Sequence, residues 1–248
     1  MKKYVIFFVG LLISGTVFSQ NETRMLGIGE IEVTPPKFTG VKNVEPNAVL
    51  DNSLLIKKFL QKNINYPGDE SAWLNEGTEV VKFTITPSGD VTDFKIMNSV
   101  SPDIDKEMVR VLKTTNGMWS PGYKNGIPTP MEQEIAAVFG DNNNGKILED
   151  FKNKATVYFK QGSHKFIFKN NPEKALKSFN LGIRYLPNDQ SLLLMRGMCY
   201  YAMGEIEKAK EDWNRVANRT EIDLKEIANN LSGMSGYEEM TKILANNK

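Results

Sequence analysis

Apolar and polar side chains alternate along residues 81–86. Val81, Phe83 and Ile85 fall on one face, and Lys82, Thr84 and Thr86 on the other. A period of two, rich in β-branched residues, predicts a half-buried strand. Pro87-Ser88-Gly89-Asp90 predicts a turn in which Gly89 can take positive φ, and a second apolar run over 91–97 completes a hairpin. Ser101-Pro102-Asp103 has the form of a helix start, and Ile104, Met108, Val111 and Leu112 recur behind it at helical spacing. After Trp119-Ser120-Pro121-Gly122 and Gly126-Ile127-Pro128 a third strand is expected from about Met131 to Phe139, with Gln133, Ile135, Ala137 and Phe139 on one face. The order β-β-α-β describes an α+β unit, a sheet with one face covered by a single helix. Residues 51–63 read as a helix entering that unit, capped by Asp51 or Ser53, with Leu54, Leu55, Phe59 and Leu60 on its apolar side. Tyr66-Pro67 stops it, because Pro67 pushes Tyr66 into an extended conformation.

The pattern changes beyond Asp141-Asn142-Asn143-Asn144-Gly145, a short polar run that marks a domain boundary. Ala175-Leu176-Lys177-Ser178-Phe179 recurs thirty-four residues later as Ala209-Lys210-Glu211-Asp212-Trp213. The same offset relates Ser163 to Gly197, Phe166 to Tyr200 and Glu173 to Glu207. This predicts an all-α rear domain over 146–248, with helical units near 156–189 and 190–223. Helical stretches at 224–231 and 237–244 then form a degenerate third unit or a solvating cap.

At the other end, Met1-Lys2-Lys3 precedes an apolar run over 4–13 and small polar residues over 14–20, with Val17-Phe18-Ser19 as a cleavage site. That is the form of a secretory signal peptide over 1–19. The alternative is an uncleaved N-terminal anchor, since 4–18 falls only slightly short of the ~20 apolar residues of a span. Residues 20–50, with Pro35, Pro36 and Pro46, read as an extended, mobile linker.

Tyr66-Pro67, Glu76-Gly77, the Val-rich strand, the Pro87-x-Gly89 turn, the second strand and helix, Trp119-x-Pro121-Gly122, Gly126-x-Pro128 and a closing strand ending in Phe139 stand in one order. In that order they resemble the TonB C-terminal domain over 51–140. The thirty-four-residue period, with Gly197, Tyr200, Ala209 and Trp213 as its clearest signature, resembles the tetratricopeptide (TPR) repeat. The first resemblance implies a periplasmic module that adds a partner's short extended peptide to the edge strand at 131–139, by β-augmentation. It implies peptide-binding roles for Met131, Gln133, Glu134, Ile135 and Ala137 on that strand, and for Asn63, Asn65 and Tyr66 beside it. Tyr66 is equally well read as a core anchor. The implied partner is a peptide of an outer-membrane transporter or another envelope protein, in the service of transmembrane transport, with the TPR surface taking a further protein. The alternative is a secreted envelope scaffold without energy transduction. Thirty linker residues reach at most ~100 Å, short for a TonB that spans the periplasm, and the family's anchor carries a histidine that this one lacks.

Charge alters the picture little. Thirty-one Lys and Arg stand against thirty Asp and Glu, a net charge of +1. No dense basic run points to nucleic acid, and a membrane is implied only if the N-terminal segment stays uncleaved. With a single cysteine, Cys199, no intrachain disulfide can form, and its place in an apolar run suits a small core filler. His164, the single histidine, has no companion for a metal site. Gly27-Ile28-Gly29 neither follows a strand nor opens a helix, so it is no phosphate loop. Asp103 and Asp105 belong to a helix start, where the macrodipole favours them. No catalytic constellation emerges, and neither an enzymatic activity nor a cofactor or metal is expected.

Overall fold

A computed structural model describes residues 5–6, 12–13, 32–40, 52–65, 76–140, 146–218 and 231–246. Outside these residues lie Tyr66-Pro67, the run at 141–145, the cleavage region at 14–20, most of the linker and the stretch at 224–230. The chain divides into two compact units, Met1–Asn143 and Asn144–Lys248.

In chain order the first unit contains β1 (Val5–Ile6), β2 (Leu12–Ile13), β3 (Val33–Thr34), β4 (Lys37–Phe38), α1 (Asn52–Asn63), β5 (Gly77–Ile85) and β6 (Val91–Asn98). α2 (Pro102–Lys113), β7 (Trp119–Ser120), β8 (Gly122–Lys124), β9 (Ile127–Thr129) and β10 (Met131–Phe139) follow. The main sheet runs β10-β5-β6, all antiparallel, with β1 and β2 on the far side of β10. The hairpin between β5 and β6 closes as expected, with the Gly89 amide donating to Thr86 O at 2.9 Å and the Thr86 amide to Asp90 O at 2.9 Å. Gly89 sits at φ +82°, and a Cβ there would collide with the carbonyl oxygen of Trp119, so both conformation and space require glycine. α2 begins at the Ser101 cap, whose side chain accepts from the Ile104 amide, and presents Ile104, Met108, Val111 and Leu112 to the core.

The core gathers the alternate residues Val81, Phe83 and Ile85 of β5 and Ile135, Ala137 and Phe139 of β10 against α2. α1 joins the same core through Ile56 and Leu60, both fully buried. Two helices therefore share the core where the sequence pattern suggested one. The entering helix is part of the fold because its apolar positions, four residues apart, reach the same cluster.

The linker reading also changes. Residues 32–40 form a strap fastened to this unit: β3 pairs with β8, and β4 with β7. Phe38 is buried, its ring 5.4 Å from Phe59 and 5.1 Å from Trp119. The Thr39 amide and hydroxyl both donate to Met118 O at 2.8 Å. Burying one phenylalanine contributes about 1.5–3 kcal/mol, enough to hold two strands of two residues each that could not persist alone.

The second unit is helical: α3 (Ile147–Ser163), a π-turn (His164–Phe168), α4 (Pro172–Tyr185), α5 (Gln190–Ala202), α6 (Ile206–Ala217) and α7 (Tyr237–Asn246). Its two helical hairpins repeat one packing device. A Cβ at Gly162 would collide with the Phe179 ring, and one at Gly197 with the Trp213 indole. Ala175 and Ala209 are both fully buried at matching places. Phe179 and Trp213 are thirty-four residues apart, but Gly162 and Gly197 are thirty-five. The additional residue of the first hairpin is taken up by the π-turn, whose wider winding accommodates it. Gly162, not Ser163, is thus the counterpart of Gly197. Arg196 on α5 holds the hairpins in register, with Nε to Asp212 Oδ2 at 2.7 Å, Nη2 to Asp212 Oδ1 at 2.6 Å and Nη1 to Asn180 Oδ1 at 3.1 Å.

Candidate functional site

β10 pairs with β5 at nine consecutive positions, from Met131↔Ile85 to Phe139↔Gly77, without a bulge. Its outer side meets the N-terminal segment: Val5↔Phe139 and Ile6↔Val138 at one end, Leu12↔Glu134 and Ile13↔Gln133 at the other, the two registers offset by two residues. The outer side of the strand picked out from the sequence as a docking edge is thus paired with antiparallel strand from within the stretch read as a signal peptide.

The opposite edge of the sheet is built differently. Between Lys82↔Lys95 and Thr84↔Thr92, two residues of β6 oppose one of β5, and a second register shift lies between Val80 and Val81. Asp93 in the first bulge takes φ +53°. Bulges and charged side chains protect an edge against pairing with another chain. β10 has no such interruption.

The candidate residues fall into three sets. Gln133, Ile135 and Ala137 point into the core, at 1, 0 and 0% exposure, so only their backbones can meet an added strand. Glu134 is half-buried on the opposite face, beside Glu132, which pairs with Lys82 of β5. Met131 is half-buried and packs over Gly122. Asn63 is tied to the helices by its side chain and carbonyl, and the exposed Asn65 by its backbone amide. Asn63 Nδ2 donates to Phe59 O at 2.7 Å, Arg110 Nη2 donates to Asn63 O at 3.0 Å, and the Asn65 amide donates to Glu107 Oε1 at 2.7 Å. These partners lie on α1 and α2. The Arg110 hydrogen bonds hold the Glu107 carboxyl below its usual range. Tyr66 lies outside the described residues.

One group in this unit escaped the sequence reading. Glu79 is fully buried on the core side of β5, its Oε2 accepting the Val100 amide at 2.8 Å while Oε1 has no hydrogen-bond partner among the described residues. Burial, reinforced by the nearby Asp105 carboxylate, pushes its pKa up to about 9, against the pull of the Val100 amide. The signal was there: Glu79 has the parity of Val81 and Phe83. In the second unit, burial pushes the Cys199 thiol up to about 12, as befits an inert filler. Among the described residues, no group of three or more His, Cys, Asp or Glu is placed to hold a metal ion. No helix among them is long and apolar enough to cross a membrane.

Residues 62–140 match the family model of the Gram-negative bacterial TonB protein C-terminal, about a third of the 248-residue chain. No curated protein matches the chain. Over residues 62–140 the first unit is similar to the TonB C-terminal domain, a family of non-enzymatic modules that serve protein interaction and energy transduction in the cell envelope and engage outer-membrane proteins. The match starts within the last turn of α1 and leaves out the strap at 32–40 and all of the helical unit.

Proposed function

We propose that this chain is a periplasmic TonB-like protein that takes a short extended peptide of an outer-membrane transporter as an added strand on β10. The observation that carries this reading is the pairing of β1 and β2 along the outer side of β10, because it marks that edge as one that accepts antiparallel strand. The regular ladder of β10 and the bulged edge of β6 favour the same side. Withdrawal of residues 1–19 from the edge, by cleavage as a signal peptide or by insertion as a membrane anchor, leaves β10 open to a partner. The helical unit, with its thirty-four-residue period and recurring Gly–aromatic contacts, is a TPR-like array that docks a further protein.

A second reading, an envelope adaptor without energy transduction, draws on the strap. With residues 32–40 fastened to the domain, the linker ahead of them, residues 20–31, spans at most ~40 Å. That is little for a protein that must reach the outer membrane from an inner-membrane anchor. Intact-mass measurement separates anchored from released forms: a mature N-terminus at Gln20 favours the adaptor, and retention of Met1 in the membrane fraction favours the transducer. The docking reading itself is tested by titrating the exported chain with a peptide from a transporter's N-terminal segment while following the amide signals of β10. Changes along 131–139 support it, and binding that leaves these signals unmoved refutes it.

A further inference from the structure

Five residues of β10 share the core-facing side, and Gln133 is the polar one among Met131, Ile135, Ala137 and Phe139. Its amide orientation is fixed. Nε2 donates to the Glu132 carbonyl at 2.7 Å, and turning the amide over would set two acceptors against each other. Oε1 is then left buried, in a residue 1% exposed, with no hydrogen-bond partner among the described residues. On the β5 side Gln133 lies opposite Phe83, which has no side-chain donor. On the other side, a residue of an added strand paired with Gln133 shares its sheet face, with Cβ atoms about 4.5–5.5 Å apart. Ile13 holds that position in this chain.

From this geometry we infer that Gln133 is a specificity residue: it selects an added strand that carries a hydrogen-bond donor, such as Thr, Ser, Asn or Gln, at the position paired with it. The inference rests on the β10 docking reading and names the partner's chemistry at one position. An edge residue has water beside it until a strand is added. The strand then strips Oε1 of water, and the loss falls on the binding step unless the incoming side chain donates in its place. Ile13, with no side-chain donor, is a poorly matched occupant that a peptide with Thr or Asn at that position outcompetes.

The test uses full-length chains carrying Ile13→Thr or Ile13→Val, each with Gln133 intact or with Gln133→Met, and reads amide hydrogen exchange over 131–139. Thr and Val have nearly the same shape, as do Gln and Met, so the four chains isolate the hydrogen bond. With Gln133 present, edge amides should exchange about tenfold more slowly in Ile13→Thr than in Ile13→Val. With Gln133→Met, or with Gln133→Leu if the first variant folds poorly, the ratio should fall to one or invert. A ratio unchanged by Gln133→Met overturns the inference alone. Edge amides that exchange in all four chains as fast as in a Leu12→Pro control overturn the docking reading as well.

Discussion

Replacing Glu79 by glutamine should stabilise the first unit near neutral pH and make that unit's stability nearly independent of pH. The folded unit holds Glu79 with a pKa of about 9, against 4.5 for a free carboxyl. A group whose folded pKa is raised gives stability that is fully present below the unfolded value and is lost as pH climbs toward the folded one. Between 4.5 and 9 the folded state therefore binds close to one proton more than the unfolded state, and stability falls by about 1.4 kcal/mol per pH unit. From pH 5.5 to 7.5 the loss is about 3 kcal/mol, or roughly a hundredfold in the unfolding equilibrium. Glutamine keeps an acceptor for the Val100 amide and has no proton to retain. The chain's single histidine, His164, lies in the other unit, so no imidazole of the first unit titrates across this window. Hydrogen exchange of the β5 amides, corrected for intrinsic rates, reads this unit by itself. The native chain should lose about a hundredfold in protection from pH 5.5 to 7.5, and Glu79→Gln should stay flat and exceed it at pH 7.5. Equal pH dependence in the two proteins would refute the buried neutral acid.

Gly89→Ala should cost at least about 2 kcal/mol, since it meets both a left-handed φ and the Trp119 carbonyl; the loss of hydrogen-exchange protection at the β5 and β6 amides measures it. Phe38→Ala should cost about 3–5 kcal/mol in the strap and speed amide exchange in β7 and β8, while the ladder between β5 and β10 keeps its protection. Ala209→Glu buries a charge between packed helices and should unfold the helical unit. Lys210→Glu, which exchanges the surface pair with Glu207 for a like-charge contact, should cost only about 0.5–1 kcal/mol. Equal thermal shifts for those two variants would contradict the shared packing of the hairpins.

Much of the first unit was legible because its strands are long enough to show a period. β5 and β10 run for nine residues each and bury alternate side chains over 81–85 and 132–137, and α2 carries both a Ser-Pro start and an apolar stripe. The strap was not legible. Strands of two residues have no period, and Phe38 reads as a lone aromatic in a Pro-containing stretch until Trp119 and Phe59 close around it. The candidate strand was located correctly from Met131 to Phe139, and burial leaves Ile135 and Ala137 only their backbones to offer, which is the contribution expected of a docking edge. Asn63 and Asn65 could be assigned to neither partner from sequence, since Glu107 and Arg110, which hold them, lie over forty residues away. The π-turn left a faint trace, the adjacent small residues Gly162 and Ser163, which made the repeat seem in step at the wrong one.

A partner strand docked on β10 as proposed is held by the backbone. Along a strand the N–H groups point alternately to the two sides, so of Gln133 and Glu134 one amide faces β5 and the other faces outward. A proline at the outward position removes a donor from the docking edge alone; at the inward position it removes one from the sheet. The decisive measurement is the affinity of a labelled transporter-derived peptide for the exported chain carrying Gln133→Pro or Glu134→Pro, with circular dichroism as the control for folding. One variant should fold normally and lose binding, and the other should lose stability. Two well-folded variants that both bind as tightly as the native chain would remove β10 from the mechanism.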